Sequence, residues 1–140
     1  MKARRSPKKL TVGQALQQAI AAHREGRLPE AERLYRAILQ SQPNHPDANH
    51  NLGVLIASAN DPELALPLLK TALKTHPKIE QFWLSYIDAL IKEKQFDNAR
   101  QVLEQARKQG VDGERLNSFA AQLSPRTETP NTTTVSPPQD

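Results

Sequence analysis

The side chains best suited to chemistry are few and scattered. Four histidines (His23, His45, His50 and His76) are the only imidazoles, and the chain has no cysteine. His45 and His50 stand five residues apart across an expected helix start, so they do not share a helix face. His23 and His76 fall elsewhere, and no H-E-x-x-H spacing occurs. The lack of thiols removes disulfides, thiolate catalysis and sulfur-bound zinc. Acid pairs such as Glu30 with Glu32 and Asp61 with Glu63 sit at expected helix starts, where carboxylates interact favourably with the helix dipole. No pocket pattern accompanies them, so general acid–base catalysis is not expected. Gly53, Gly110 and Gly113 do not form the G-x-G-x-x-G phosphate cradle, and no Ser/His/Asp set has motif context. The reading is of a chain with no catalytic residue, no cofactor and no metal site, and therefore not an enzyme.

Charge separates the ends from the middle. Residues 1–9 hold five bases (Lys2, Arg4, Arg5, Lys8 and Lys9) and no acid. Residues 124–140 hold Arg126 against Glu128 and Asp140. Nineteen bases less these six leave thirteen, and fifteen acids less two leave thirteen, so the body is neutral. A neutral body lacks the broad basic face of a nucleic-acid-binding domain, and specific nucleic-acid binding is not expected. The stretch after the leader, beginning Leu10-Thr11-Val12-Gly13-Gln14, is too polar for a signal peptide. No apolar run reaches the roughly 18 residues of a membrane span. The chain reads as cytoplasmic.

An internal repeat supplies the architecture. At an offset of 34, Ala31 falls on Ala65 and Ala99, and Leu34 on Leu68 and Val102. Likewise Ala19 falls on Gly53 and Ile87, and Ala22 on Ile56 and Leu90. Each unit carries two helical stripes, as in Ala31, Leu34, Tyr35, Ile38 and Leu39, or Leu64, Leu68, Leu69, Ala72 and Leu73. Turn chemistry separates them: Gly26-Arg27-Leu28-Pro29, Gln42-Pro43-Asn44-His45-Pro46, Asn60-Asp61-Pro62 and His76-Pro77. Thr11-x-x-Gln14 fits a capping box at the first helix. Pro67 lies inside the second helix of unit two, which should therefore start late or kink. Leu116, Phe119, Ala120 and Leu123 mark a last helix, starting at Asp112 or Gly113, that covers unit three.

These residues resemble the tetratricopeptide repeat (TPR), whose pattern runs W-x2-L-G-x2-Y, then A-x3-F, then P. Unit two reads Asn49-x2-Leu52-Gly53-x2-Ile56, Ala65-x3-Leu69 and Pro77. Unit three reads Trp83-x2-Tyr86-Ile87-x2-Leu90 and Ala99-x3-Leu103, with Val111 for the proline. Unit one reads Ala15-x2-Gln18-Ala19-x2-Ala22, Ala31-x3-Tyr35 and Pro43. The resemblance implies an all-α superhelix (a TPR solenoid) of three helix-turn-helix repeats plus a C-terminal capping helix. The expected layout is a basic disordered leader over 1–10 and a TPR domain over 11–123. Within it, repeats fall near 12–45, 46–79 and 80–113, with the cap over 113–123. A disordered Pro/Thr-rich tail or linker covers 124–140. Trp83 falls where such units place a core tryptophan, so Trp83 and Tyr86 read as core rather than as a ligand platform.

The resemblance also implies a concave groove, lined by the first helix of each unit, that takes a peptide or a partner's helix. The matching groove positions are Leu16, Gln17, Ile20, Arg24, His50, Asn51, Val54, Ser58, Leu84, Ser85, Asp88 and Lys92. The family's carboxylate clamp falls on Leu16, Ile20, Asn51, Gln81 and Ser85, where only Asn51 agrees and the cations are missing. The asparagine ladder of O-linked N-acetylglucosamine transferases falls on Gln17, Asn51 and Ser85, all able to hydrogen-bond a peptide backbone. The expected partner is thus a protein or peptide. Two variants of that role stand beside it: an N-terminal recruitment segment of a larger glycosyltransferase or sulfotransferase of bacterial type, or a free-standing scaffold.

Alanine at 31, 65 and 99 lets the two helices of a unit touch. Ala65→Leu should overpack that contact and lower stability by roughly 1–3 kcal/mol, read from urea or thermal denaturation.

Overall fold

The computed structural model describes residues 9–124, so most of the expected leader and tail lies outside the described residues. Regular structure among the described residues is wholly α-helical. In chain order the helices are α1 (Val12–Arg24), α2 (Leu28–Ser41), α3 (Pro46–Ser58), α4 (Pro62–Thr75), α5 (Glu80–Lys92), α6 (Phe96–Lys108) and α7 (Glu114–Gln122). Helices pair as α1 with α2, α3 with α4 and α5 with α6. Each pair stacks on the next, and α7 closes the end against α5 and α6. This is the expected TPR solenoid with its cap.

The helix starts follow their residues. Thr11 Oγ1 accepts the Gln14 amide at 3.0 Å while Gln14 Oε1 accepts the Thr11 amide at 2.9 Å, completing the capping box. A proline occupies the first turn of α2, α3 and α4, where no amide is required. His45 caps α3 by accepting the Ala48 amide on Nδ1 at 3.1 Å.

The turn inside each unit repeats with the sequence period. Gly26, Asn60 and Lys94 all have positive φ, at 80°, 68° and 60°. In each case the following amide reaches back five residues: Arg27 to the Ala22 carbonyl, Asp61 to Ile56, and Gln95 to Leu90. That bond, with a left-handed residue before it, is the Schellman ending of a helix. Gly110 repeats the device at the end of α6, ahead of Val111.

A second repeated device joins one unit to the next. Trp83 Nε1 donates to the Pro77 carbonyl at 2.7 Å, and Asn49 Nδ2 donates to the Pro43 carbonyl at 3.0 Å. Asparagine thus keeps the hydrogen bond of the tryptophan position while giving up its bulk. Asn49 is 3% exposed, and its amide also reaches the His45 carbonyl, so the buried polar group is satisfied.

Ala31, Ala65 and Ala99 are all fully buried, as the helix-pair contact requires. In unit two the approach is closer still. A methyl group on Gly53 would stand 2.6 Å from Leu69 Cδ2, and Leu69 is itself buried. The core gathers into one cluster around Tyr35 and Leu52 and another around Ile87, Leu103 and Leu116. Ala65, Leu69 and Ala89 form a smaller cluster between them.

One local expectation is corrected, and one of two alternatives is removed. Leu64 does not join the buried stripe of α4 but is 61% exposed, because the face turned to α3 is set by Ala65 and Leu69. Helix α4 does not start late either: it begins at Pro62 and continues through Pro67 to Thr75. Pro67 sits in the second turn with its ring exposed, where it forfeits one amide bond. Its carbonyl accepts the Thr71 hydroxyl at 3.0 Å.

Lysine is a poor occupant of the left-handed region, whereas glycine enters it freely. Lys94→Gly should therefore raise stability by about 1 kcal/mol, seen as a higher urea midpoint with unchanged slope.

Candidate functional site

The first helices α1, α3 and α5 carry the expected groove positions. Gln17, Arg24, Ser58 and Lys92 are exposed, and Ile20, His50, Asn51, Val54, Ser85 and Asp88 are half-buried. Leu16 packs on the first core cluster and Val54 on the small central one. Leu84 is 2% exposed and belongs to the core cluster of unit three, so it offers a ligand no surface. Its neighbours Phe82 and Trp83 are buried with it, which turns this part of α5 inward on several sides. Lys92 pairs with Asp88 at 2.9 Å along α5.

The most connected part of the groove is a line of hydrogen bonds that crosses all three units. Arg115 Nη1, on the cap helix, donates to Gln81 Oε1 at 3.0 Å. Gln81 Nε2 donates to Ser85 Oγ at 3.1 Å. His50 Nε2 lies 2.7 Å from Ser85 Oγ, and His50 Nδ1 lies 3.1 Å from Asn51 Oδ1. Asn51 bonds the Tyr35 hydroxyl, which lies 3.3 Å from His23 Nδ1. The pairing fixes a direction. Asn51 Oδ1 only accepts, so His50 carries its proton on Nδ1, and Nε2 accepts from the Ser85 hydroxyl. Asn51, its oxygen engaged by His50, meets the Tyr35 hydroxyl through its amide, and the Tyr35 hydroxyl shares a hydrogen bond with His23. From Arg115 to Asn51 every donor points away from α7.

This arrangement brings His50, Asn51 and Ser85 together but commits them to one another. Ser85 Oγ both donates and accepts within the line, and Asn51 retains one amide proton. Sequence reasoning missed His23, Tyr35 and Arg115 as groove residues and met Gln81 only as a failed clamp position. Tyr35 lies in a second-helix stripe that reads as core, and Arg115 lies on a cap read only for its apolar face. Arg115 was legible only as a cation near the end of the groove.

Burial shapes the electrostatics. Desolvation holds the His50 pKa below its ordinary value, against the opposing pull of the Asn51 hydrogen bond and the Asp47 charge. His50 also stacks at a tilt on Phe82, with ring centroids 4.9 Å apart. Desolvation lowers His23 in the same way. Burial raises the Tyr35 hydroxyl, opposed by its bond to Asn51. Beside this line opens a cavity of about 400 Å³ lined by Ile20, His23, Arg24, Tyr35 and Asn51. Its chemistry is an apolar wall, an exposed guanidinium and a spare amide proton. Among the described residues no group of His, Asp and Glu is arranged to hold a metal ion, and no helix is long and apolar enough to cross a membrane.

Comparison with known proteins places these features. Two family models, each described as Tetratricopeptide repeat, match residues 16–68 and 57–123. No curated protein sequence gives a significant match. Among solved structures, the Sgt2 TPR domain from Aspergillus fumigatus superposes with a TM-score of 0.75 at 18% identity, covering 92% of this chain and 86% of that one. The TPR2B domain of yeast Sti1, solved in its complex with pHsp70, gives 0.73 at 16% identity, covering 81% and 95%. An O-GlcNAc transferase mutant from Thermobaculum terrenum gives 0.69 at 25% identity, covering 80% of this chain but 22% of that one.

The lowered histidines set a pH dependence. Well above pH 6.5, the ordinary histidine value, both are neutral folded or unfolded, and their bonds are fully present. Below it the unfolded chain takes up protons that the folded chain resists, so stability falls as pH drops. Urea denaturation between about pH 7 and about pH 5 should show this loss, and His50→Gln should reduce it.

Proposed function

The chain belongs to the tetratricopeptide-repeat family, and from that premise we propose that it is a protein-interaction module without catalysis of its own, holding a peptide or a partner's helix in the concave groove of α1, α3 and α5. The observation that carries the reading is the cavity beside Asn51, where apolar Ile20, cationic Arg24 and a spare amide proton stand together. Apolar side chains of a ligand would settle on Ile20, and a backbone carbonyl would take the amide proton. Exposed Gln17, one turn from the cavity on α1, would extend the polar contact along the ligand.

The fold likeness supports the same reading, since the yeast Sti1 domain is solved with a bound partner. The grip itself would differ from a carboxylate clamp. Gln81 and Ser85 are bonded to each other, and the cation nearest them, Arg115, is bonded to Gln81. The groove would therefore favour the body of a peptide over its terminal carboxylate.

A second reading makes the chain a recruitment segment of a larger glycosyltransferase. It rests on the likeness to the TPR region of the Thermobaculum enzyme and on the polar residues Gln17, Asn51 and Ser85 at ladder positions. A transferase coding sequence continuing in frame after Asp140 would support it, and a stop there with no adjacent transferase would remove it.

Affinity capture with the full chain, read by mass spectrometry against a Gln17→Ala/Arg24→Ala variant, tests the groove. Both side chains are exposed, so the fold should hold. Partners held in the groove should fall by about fivefold or more. An identical partner set and yield would refute the concave-groove reading.

A further inference from the structure

On the opposite side of the solenoid, the second helices α4 and α6 flank a groove of about 380 Å³. Its floor is apolar, from half-buried Leu66, Tyr86 and Val102. Its α4 wall carries Lys70 and Lys74, both exposed and without an ion-pair partner among the described residues. Its α6 wall carries a row of amides, with Asn98, Gln101 and Gln105 at helical spacing. No acidic side chain lines it.

The internal repeat shows what is unusual here. At an offset of 34, Lys70 corresponds to Arg36 and Leu66 to Glu32. In α2 that pair is closed: Arg36 bonds Glu32 one turn earlier at 2.8 Å. In α4 the acid is replaced by leucine. The same exchange frees the cation and makes the floor apolar. On α6 the charged residues Asp97, Arg100, Glu104 and Arg107 stand off the groove, and Arg100 and Arg107 point instead to α7 or to acids on their own helix. Tyr86 presents a half-buried ring there, with a hydroxyl that has no hydrogen-bond partner among the described residues.

We propose that this convex groove is a second docking surface, built for an acidic amphipathic helix. Lys70 and Lys74 are one helical turn apart, so they match two carboxylates at the same spacing on a facing helix. The lining from Gln95, the N-cap of α6, to Gln105 takes in eleven residues and rises about 15 Å, which suits roughly three turns of a partner. Apolar side chains of that helix would cover Leu66, Tyr86 and Val102. The amide row adds donors and acceptors without repelling the carboxylates. The surface is separate from the concave groove and does not depend on it.

The test uses a fluorescein-labelled peptide of about three turns, with leucines on one helical face and glutamates on the rest, titrated with the full chain by anisotropy. A version with lysine for glutamate is the control. The acidic peptide should bind about tenfold or more tightly than the basic one. Lys70→Glu/Lys74→Glu should remove that preference. Leu66→Glu, which restores the closed pair of α2, should weaken acidic binding severalfold, with circular dichroism confirming the fold. Arg24→Ala in the concave groove should leave it unchanged. The proposal is overturned if the acidic peptide does not bind, if it binds no better than the basic one, if the lysine reversal has no effect, or if Arg24→Ala abolishes binding.

Discussion

Two helices can lie against each other along their length only where no large side chain stands between them. Ala31, Ala65 and Ala99 meet that constraint with complete burial. Gly53 takes it further, since even a methyl group there would collide with Leu69. Once the pair closes at these points, the rest is largely determined. The turn must reverse the chain within a few residues, which calls for a left-handed residue at 26, 60 and 94. The opposite faces must be covered by the next pair, and finally by α7.

Much of this was legible because repetition multiplies a weak signal. One alanine in a helix means little, but three at equal spacing mark a contact. The capping box, the proline-led helices and the cap stripe of Leu116 and Leu123 were visible for the same reason: each depends on neighbours in sequence. The misreadings share an opposite cause. Leu64 is apolar yet exposed, and its fate depends on which side of α4 meets α3. Pro67 looks disruptive until its ring is seen to face outward. Leu84 matches a groove position yet is buried, because α5 turns Phe82, Trp83 and Leu84 into the core together. The hydrogen-bond line from Arg115 to His23 was invisible, since five separate helices supply its members.

That line alters what the concave groove can offer. Residues that look like free donors and acceptors are mostly engaged with one another, which gives the floor a defined shape at the expense of available contacts. In the proposed binding mode, contact with a ligand would shift to the edges, to Gln17, Ile20 and Arg24. On the convex side the balance is reversed. The loss of one intrahelical acid leaves Lys70 and Lys74 open above an apolar floor. The repeat thus presents two faces with different chemistry from a single packing scheme.

The core's division has a mechanical consequence. The core divides within unit two: the buried side chains of α3 pack with unit one, Ala72 and Leu73 of α4 pack with unit three and α7, and Ala65, Leu69 and Ala89 form a small cluster between them. In an array where each layer packs chiefly on its neighbours, bending and partial opening take place between layers. A ligand lying along several units would act as a splint, tying together layers that otherwise move against one another. Occupancy of either face would then register away from the contact itself, as slower amide exchange in the helices of neighbouring units.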